Sequence, residues 1–435
     1  MQLLLTGTGE SSGSRQFDVC LKGWQVDPLL YYSMESKTVS TEQTFDVIVI
    51  GAGVIGASVA FHLARLGAGR VLVLEQSQIG DGTGAQSSGI LRTHYSVESN
   101  AKLARLSWDA FTDFSRYLGD EDAQCGLVRC GYLIAAGEGQ RAQALHDTIE
   151  QQKCMGIPIE VLNASQARKL LPIARFGESE LIAYEPEAGF ADPYMTNTSF
   201  AKAARRLGAK ILQGTRALGL IRDGSRVTGV QTSAGDFYAG HVVSTQNIWA
   251  HQLANWLNVD IPLKAERHIV LALEAERAYT QEMPVFKDMV SPGMLYLRSY
   301  GARQMLVSEG VQGEVLEQCM NEQGDVPLDT MVSIGEQVAE RFPDYDCAQL
   351  ASSWTGVYDV TPDWNPVLGG LPGIDGLTVG FGFSGHGFKL SPGVGLVLAQ
   401  HALGMPTQIE ISPYHIGRFA SGQLLTGKYG AGAVS

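Results

Sequence analysis

The sequence is poor in cysteine, and its cysteines follow no metal-binding or disulfide pattern. Six occur among 435 residues, none of them in a CxxC pair, at Cys20, Cys125, Cys130, Cys154, Cys319 and Cys347. Cysteines scattered in this way predict reduced thiols and not a disulfide scaffold or a structural zinc site. We therefore expect a cytoplasmic protein without a metal centre.

Basic residues and long apolar runs are also scarce. Lys and Arg total 32 against 45 Asp and Glu, so the formal net charge is −13. An acidic chain is a poor partner for nucleic acid or for an anionic membrane surface, although a local cationic pocket can still bind an anionic substrate. No apolar run reaches the roughly 18 residues of a membrane-spanning helix. We expect neither a nucleic-acid partner nor a membrane span.

The first 43 residues lack the pattern of a secretory signal peptide. No basic start precedes an apolar block, and acidic residues such as Glu10, Asp18 and Asp27 interrupt the segment. We expect residues 1–43 to be a disordered extension outside the fold, with Met34 as a candidate start of translation. Residues 1–33 are then expected to be dispensable for folding.

Glycine, by contrast, is abundant. The chain contains 51 glycines, about 12% of its residues against an average near 7%. They lie inside apolar segments, a placement typical of tight turns and of close backbone approach to a ligand. With 45% hydrophobic residues the chain is long enough for a large core and roughly two domains.

Residues 44–75 contain a strand–helix–strand pattern with three spaced glycines at its first turn. Two β-type runs, Phe45–Ile50 and Val71–Glu75, flank a helical run, Val54–Leu66. The GxGxxG glycines permit a tight turn, approach of the backbone to a pyrophosphate and close packing of helix on strand. Glu75, about 19 residues after the last of them, would accept hydrogen bonds from ribose hydroxyls. This combination predicts a dinucleotide site that includes Gly51, Gly53, Val54, Ile55, Gly56, Glu75, Gln76 and Ala217.

A second glycine-rich segment, GFGFSGHGFK at residues 380–389, lies between a β-type run and a helical run. The N-terminus of a helix there would direct its positive end at an electron-rich ligand such as a reduced flavin. The alternative is a turn that serves packing alone. Because the nucleotide motif also stands near the start of a chain far longer than one Rossmann half, FAD is favoured over NAD. We expect Gly385, Gly387, Phe388 and Lys389 to contact the cofactor.

The remaining patterns predict a discontinuous α/β protein. Amphipathic or apolar helices are predicted at Leu103–Tyr117, Gly139–Met155, Asn197–Leu207, Trp249–Leu257, Thr330–Phe342 and Gly393–Ala402. We expect a Rossmann-type FAD-binding domain at 44–125, 182–262 and 350–425. A substrate domain with a mainly antiparallel sheet is expected at 126–181 and 263–349.

Four motifs carry a family resemblance. The most specific is GFSGHGFKLSPGVG at 382–395; the others are Ile90-Leu91-Arg92 with Tyr95, Tyr184-Glu185-Pro186 with Gly189, and Tyr358 before Thr361-Pro362-Asp363. Between about Phe45 and Arg418 the chain resembles the flavin amine oxidases that include monomeric sarcosine oxidase, glycine oxidase and D-amino acid oxidase.

The resemblance implies a set of substrate-binding residues. Arg92 and Lys389 match the two cations that hold the substrate carboxylate in sarcosine oxidases, and an Arg fork with a Lys point charge suits that task chemically. Alternatively, Arg92 pairs with a surface acid and Lys389 is a solvated helix residue. The active-site tyrosines match Tyr95, Tyr296 and Tyr358, which otherwise are core residues. His386, between glycines, either tunes the flavin or enters the helix structurally.

The sequence departs from that family at two places. Gly356 stands where monomeric relatives attach FAD through a cysteine, so we expect non-covalent FAD. The segment expected to hold the oxygen-activating Lys, RQMLVSE at 303–309, contains none; Met305 aligns nearest and Arg303 is a possible substitute. His94, near the flavin in relatives, is either a covalent attachment point or an ordinary active-site or packing residue.

These residues lead to one main functional hypothesis and two alternatives. The main hypothesis is FAD-dependent oxidation of a small secondary or N-methyl amino acid at its C–N bond, followed by hydrolysis of the imine. Electrons would pass to O2 or, as the missing Lys favours, to a quinone or protein. The same fold would also suit a D-amino acid, D-hydroxyproline or 2-hydroxy acid dehydrogenase, or the flavin subunit of a heteromeric sarcosine oxidase-type complex.

Overall fold

A computed structural model describes residues 41–278, 282–317 and 324–429. The predicted extension therefore lies outside the described residues except for Thr41–Gln43, a single 3-10 turn that leads into the first strand. Across the described ranges no helix is both long and apolar enough to cross a membrane.

The described strands are numbered in chain order. They are β1 Thr44–Ile50, β2 Val71–Leu74, β3 Ile90–Leu91, β4 Tyr132–Ala136, β5 Glu160–Leu162, β6 Leu181–Glu185, β7 Gly189–Phe190, β8 Lys210–Leu212, β9 Ala217–Asp223, β10 Arg226–Thr232, β11 Gly235–Ser244, β12 Lys264–Glu274, β13 Val285–Asp288, β14 Tyr296–Tyr300, β15 Gln304–Ser308, β16 Glu314–Val315, β17 Gln349–Val360, β18 Val367–Leu371 and β19 Ile374–Phe381.

The α-helices are numbered in the same way. They are α1 Val54–Arg65, α2 Glu98–Thr112, α3 Phe114–Leu118, α4 Gln140–Cys154, α5 Ala164–Leu170, α6 Pro193–Arg206, α7 Gln252–Leu257, α8 Leu328–Arg341, α9 Gly387–Ala402 and α10 Gly417–Ser421.

The first sheet has a parallel centre, as the strand–helix–strand pattern predicts. Its parallel strands run in the order β8, β2, β1, β11, β19. The antiparallel pair β10 and β11 forms a hairpin, and β18 and β9 extend the sheet through antiparallel pairing. Strand β2 is buried over its whole length, because helices cover both faces of such a sheet. The central strands end at the two glycine-rich turns, which places both turns at one edge.

The second sheet is mainly antiparallel and contains nine strands. The order is β16, β12, β15, β14, β13, β4, β6, β5, with β17 paired to the other edge of β12. Among its described strands, only β13 and β4 run parallel. A short ladder between β3 and β7 makes a third, two-stranded sheet.

The sheets divide the chain differently from the expected domain ranges at two strands. Strands β6 and β17 lie in the second sheet, although both fall largely within ranges assigned to the FAD-binding domain. The described residues pack as one compact unit, so the division into two domains stays a prediction.

Four helix predictions are wrong in their extent. Helix α6 begins at Pro193, four residues before the expected Asn197, and the first part of the helix expected at Trp249–Leu257 belongs to a 3-10 helix, Asn247–His251. The helix expected at Leu103–Tyr117 is two helices, α2 and α3, because Asp113 leaves the helical conformation with φ −135° and ψ 58°. Helix α9 begins six residues before the expected Gly393 and includes Pro392. A proline inside a helix removes one hydrogen bond, but this helix is buried on all sides, and packing outweighs that loss.

Candidate active site

The GxGxxG turn has the geometry that its glycines predict. Gly51 has φ +96°, a conformation open mainly to glycine. A Cβ on Gly56 would lie 1.9 Å from the carbonyl oxygen of Gly51, whereas a Cβ on Gly53 would meet nothing within 4 Å. Gly56 thus lets α1 start directly against the turn, and Gly53 leaves open space at the helix N-terminus. That N-terminus borders the main cavity, together with Val54 and Ile55.

Glu75 lies where the sequence places it, one residue after β2. Its Oε2 accepts a hydrogen bond from the backbone N of Ala52 at 2.8 Å, and its Oε1 accepts one from Ser77 N at 2.9 Å. The carboxylate is thereby held against the glycine turn while it lines the cavity. Gln76 and Ala217 line the same cavity.

The cavity continues from this turn to the second glycine-rich segment. Its volume, about 390 Å³, falls within the range of ligand pockets, roughly 300–1,000 Å³. Gly385, Gly387 and Phe388 line its far end at the N-terminus of α9. A Cβ on Gly385, whose φ is +83°, would lie 2.4 Å from the ring of Tyr358. This turn therefore forms a wall of the cavity, and packing is not its only role.

Two of the three expected tyrosines meet at this end. The hydroxyl oxygens of Tyr296 and Tyr358 are 3.3 Å apart, and both residues line the cavity. Burial raises the pKa of each phenol, so both stay protonated at neutral pH. Tyr95 does not join them: its hydroxyl is 2.9 Å from Nδ1 of His386, and neither lines the cavity. His386 is thus not a cavity-lining residue, although its neighbours Gly385 and Gly387 are.

His268 is a cavity residue that sequence reasoning missed. Its ring stacks on Tyr358 with the ring centroids 3.9 Å apart, and its Nε2 has no hydrogen-bond partner among the described residues. Burial lowers its pKa to about 4, so the imidazole is neutral near pH 7. His268 faces Gly356 across the β12–β17 ladder. Only the pairing of β12 with β17 brings His268 to the cavity, and the sequence around His268 contains no pattern that predicts this pairing.

Arg92 and Lys389 are both buried, with 4% and 9% of their surfaces exposed. Arg92 donates to the carbonyl of His94 and lies over the Tyr95 ring, 4.4 Å from its centroid. Lys389 Nζ donates to the carbonyl of Gly385 at 3.4 Å. Neither forms an ion pair with an acid in the described ranges, which rules out the solvated-helix and surface-pair alternatives there. Burial and the nearby Arg92 hold the pKa of Lys389 well below its usual range.

The two cations lie just behind the cavity wall. Neither lines the cavity itself, but Gly385, the acceptor of the Lys389 hydrogen bond, does. Glu185 fixes the backbone beyond Arg92: its Oε1 accepts from the N and Oγ1 of Thr93, both at 2.6 Å. The Glu185 side chain from the Tyr-Glu-Pro motif thus positions the segment that carries Arg92.

His94 lies away from the cavity. Its Nδ1 is 3.0 Å from Oε1 of Gln152 and its Nε2 is 2.7 Å from the hydroxyl of Tyr429. Burial and the charge of Arg92 lower its pKa to about 3. The ring is thus buried and neutral, which agrees with the alternative that His94 is a packing residue.

Arg303 does not occupy a position beside the cavity. It pairs with Glu274 and its side chain is 51% exposed. Met305 packs into the core on the opposite face of β15 from Leu306, which packs with Val270. The expected substitute for the oxygen-activating Lys is therefore a surface residue.

A different cation, Lys287, lies near the tyrosine end of the cavity. It pairs with Tyr296 across β13 and β14, and its Nζ is 5.5 Å from the Tyr296 ring centroid. Its Nζ donates to the carbonyl of Met294 at 2.9 Å. Burial, with a smaller contribution from Arg92, lowers its pKa to about 7. Sequence reasoning missed Lys287 because it lies in a short strand, VFKD, without a distinctive pattern.

Gly356 lines the cavity as expected, and a Cβ there would lie 3.3 Å from Cβ of Gln86. No cysteine of the described residues lines the cavity.

The cavity fits a flavin dinucleotide. At one end it has an open-faced helix N-terminus beside a fixed carboxylate, Glu75; at the other it has the N-terminus of α9 and a wall of aromatic rings. The lack of a side chain at Gly53 leaves space for a pyrophosphate. The close contact between Gly51 and Gly56 leaves no space for a larger residue at position 56. The fold and the site define the class of FAD-binding oxidoreductases.

Comparison with known proteins assigns the chain to a family. The model of the FAD dependent oxidoreductase (DAO) family matches residues 46–401. The chain belongs to this family and is an FAD-dependent oxidoreductase.

Curated relatives and solved structures agree with that assignment. The chain is 27% identical to sarcosine oxidase subunit beta of Arthrobacter sp over 91% of this chain and 95% of that one. It is 27% identical to human mitochondrial sarcosine dehydrogenase over 86% of this chain but only 41% of that protein. L-proline dehydrogenase from P. horikoshii shares the fold with a TM-score of 0.80, 24% identity, and coverage of 88% of this chain and 99% of that one. Glycine oxidase from Geobacillus kaustophilus shares it with a TM-score of 0.75, 23% identity, and coverage of 86% and 99%.

Proposed function

We propose that this protein oxidises the C–N bond of a small, sarcosine-like amino acid whose amine is secondary or N-methylated. The observation that carries the proposal is the pair of buried cations, Arg92 and Lys389, which bond only to backbone carbonyls in the described structure. Buried charges are normally paired, and neither cation forms an ion pair with an acid of the described residues, so an anionic ligand would complete the site. A substrate carboxylate has the charge and the oxygen acceptors for this role.

The chain's own residues bind and orient the substrate. Arg92 and Lys389 hold the carboxylate, which places the nitrogen and its neighbouring C–H bond toward the cavity. Bound FAD supplies the two-electron acceptor for that C–H bond. Tyr296 and Tyr358 keep their protons and offer hydroxyl hydrogen bonds at the cavity face, while the aromatic wall excludes water. The substrate ammonium must lose its proton before oxidation.

Truncation of either cation tests the carboxylate role. Arg92→Ala and Lys389→Ala are each expected to weaken kcat/KM by about 2–4 kcal/mol, the scale for losing a charged hydrogen-bond partner in a desolvated site. Flavin content should stay near that of the parent protein. Steady-state kinetics on N-methyl, secondary and D-amino acids provides the measurement. Normal kinetics in a variant on carboxylate substrates would remove that residue from the site.

The substrate class is tested separately by anaerobic bleaching of the flavin. Sarcosine-like amines should bleach its visible absorbance. Bleaching by D-amino acids, D-hydroxyproline or 2-hydroxy acids alone would favour the dehydrogenase alternatives on the same fold.

The relationship to a sarcosine oxidase beta subunit favours a second candidate, a flavin subunit that acts within a larger complex. The named relative is matched over 95% of its length, so the likeness covers nearly the whole subunit. A purified chain that binds FAD and bleaches with substrate, yet fails to turn over with any soluble acceptor, would support this candidate.

For the electron acceptor we propose a quinone or a protein in preference to O2. Arg303 is paired at the surface, and Leu306 on β15 packs against Val270, which lines the cavity. Superoxide formation needs a fixed positive charge close by, and Lys287, with a pKa near 7, is charged only in part at neutral pH. Stopped-flow mixing of reduced enzyme with air-saturated buffer decides the matter. Reoxidation as fast as turnover, with stoichiometric peroxide, would contradict the proposal and make Lys287→Met the variant to examine.

A further inference from the structure

The last described residues form a strap across the segment that carries Arg92. We call residues 423–429 the C-terminal strap. Leu425 N donates to Oδ2 of Asp363 at 3.0 Å, which anchors the strap's start. A Cβ on Gly427 would lie 2.4 Å from Oγ of Ser96, so the strap passes closely over the Ser96 loop. Lys428 Nζ donates to the carbonyl of Asp147 in α4 at 2.6 Å.

Tyr429 connects this strap to the ring of His94. Its hydroxyl lies 2.7 Å from Nε2 of His94, and Nδ1 of that ring lies 3.0 Å from Oε1 of Gln152. Because the amide oxygen of Gln152 can only accept, Nδ1 carries the proton of the neutral imidazole. Nε2 is then the acceptor, and the Tyr429 hydroxyl donates to it.

The main chain of His94 connects the ring to Arg92. The His94 carbonyl accepts a hydrogen bond from Nη1 of Arg92. The His94 N donates to Oε2 of Glu185 at 3.1 Å. His94 is therefore held through its ring by the strap and through its backbone by Glu185, and its carbonyl fixes one end of the guanidinium.

We propose that Tyr429 is a positioning residue that acts through His94 to hold Arg92 in place for the substrate carboxylate. The inference rests on the proposed function, because it assumes that Arg92 binds a carboxylate. A hydrogen bond that orients a ligand-binding group lowers the entropy lost on binding, so its removal weakens the ligand without removing the site.

The experiment measures carboxylate affinity without turnover. Propionate, which has no amine to oxidise, is titrated into the oxidised holoenzyme, and its Kd is read from the flavin absorbance. Tyr429→Phe keeps the ring and removes the hydroxyl; we expect Kd to rise by about 3- to 10-fold, the equivalent of one neutral hydrogen bond. Flavin content and thermal midpoint should match the parent protein.

A matched control is available elsewhere in the fold. The hydroxyl of Tyr117 lies 2.7 Å from Nε2 of the buried His62, the same pair of groups at the same distance on the nucleotide-binding side. Tyr117→Phe removes an equivalent bond and is expected to leave the propionate Kd unchanged. An equal rise in both variants would mean that any lost tyrosine–histidine bond loosens the protein, and would overturn the proposal.

A double variant separates the proposal from the function on which it rests. If Tyr429 acts through Arg92, adding Tyr429→Phe to Arg92→Ala should cause no further loss of affinity. Additive losses would overturn the positioning role. If Arg92→Ala weakens propionate and Tyr429→Phe does not, the inference alone is wrong; if Arg92→Ala has no effect, the carboxylate site is wrong and the inference with it. Should Tyr429→Phe fail to fold, Gln152→Met removes the other hydrogen bond of the His94 ring and is read in the same way.

Discussion

At the scale of single residues, the glycines of the GxGxxG turn differ in what requires them: the packing of the polypeptide or the binding of a ligand. A Cβ on Gly56 would lie 1.9 Å from the Gly51 carbonyl oxygen, so Gly56 is required by the polypeptide itself. A Cβ on Gly53 would meet no protein atom within 4 Å, and its φ of −63° suits any residue. The fold therefore does not require glycine at position 53, and we predict that the ligand does.

A pair of alanine variants tests this distinction. Gly56→Ala should destabilise the FAD-free protein by about 1–3 kcal/mol, the usual result of forcing an extra methyl group into packed structure. Gly53→Ala should leave the FAD-free protein as stable as the parent and lower its affinity for FAD. Thermal unfolding of the stripped protein and FAD titration give the two readouts. Equal effects of both variants on stability would be inconsistent with the separation.

Glu185 gives a prediction for pH dependence. Burial raises its pKa from 4.5 to about 7, against the lowering effect of its bonds with Thr93. The folded protein therefore binds more protons than the unfolded chain between about pH 4.5 and 7, and the free energy of unfolding contributed by this group falls as pH rises through that window. The full loss is about 3 kcal/mol at 1.36 kcal/mol per pKa unit.

Glu185→Gln removes this titration and serves as the test. From pH 5 to pH 8 the free energy of unfolding of the parent should fall relative to that of the variant. Urea unfolding at both pH values provides the measurement. Parallel pH dependence in the two proteins would show that Glu185 stays ionised throughout.

At the scale of elements, helix α9 packs closely on helices α1 and α2. A Cβ on Gly395 would lie 2.1 Å from Oγ and 2.6 Å from Cβ of Ser58 in α1. A Cβ on Gly393 would lie 3.0 Å from the carbonyl oxygen of Leu103 in α2. These glycines let the helix that starts at the second glycine turn lie directly against the helix that starts at the first.

Two glycine-to-alanine changes within helices should have opposite effects. Gly395→Ala must push α9 from α1 and should destabilise the protein by about 1–3 kcal/mol. Gly335→Ala in α8, where a Cβ would meet nothing within 4 Å, should stabilise it by up to about 1 kcal/mol through helix propensity. Thermal unfolding of the two variants side by side is the measurement. A neutral Gly395→Ala would mean that the helices can separate without loss.

At the scale of the whole molecule, no cysteine of the described ranges lines the cavity, and the prediction of non-covalent FAD follows from Gly356. Acid precipitation should leave the yellow colour in the supernatant. Colour in the pellet would contradict this. The first variant to examine would then be His268→Ala, since His268 is the histidine that lines the cavity in the described residues, whereas His94 is enclosed by Gln152 and Tyr429.

How much of this molecule could be predicted from its sequence depends on whether a feature is local. Strand β1, the GxGxxG turn, α1 and β2 were predicted almost to the residue, because their steric requirements lie within about 30 consecutive positions. Strand β17 was not predicted: it starts with Gln349 and exposed small residues, and its pairing with β12 alone makes it a strand. Helix α9 was predicted too short because Pro392 is a local stop signal that packing overrides.

The sequence by itself determined the nucleotide-binding turn, the second glycine turn and the residue types available for chemistry, because glycine conformation and side-chain chemistry act locally. Only the tertiary structure decided which of those residues meet. It stacked His268 on Tyr358, buried Lys287 beside Tyr296, left Arg303 at the surface and enclosed His94 under the strap. Each of these outcomes depends on strand register and helix packing between segments far apart in the chain, and a one-residue shift in register would turn each strand residue to the opposite face.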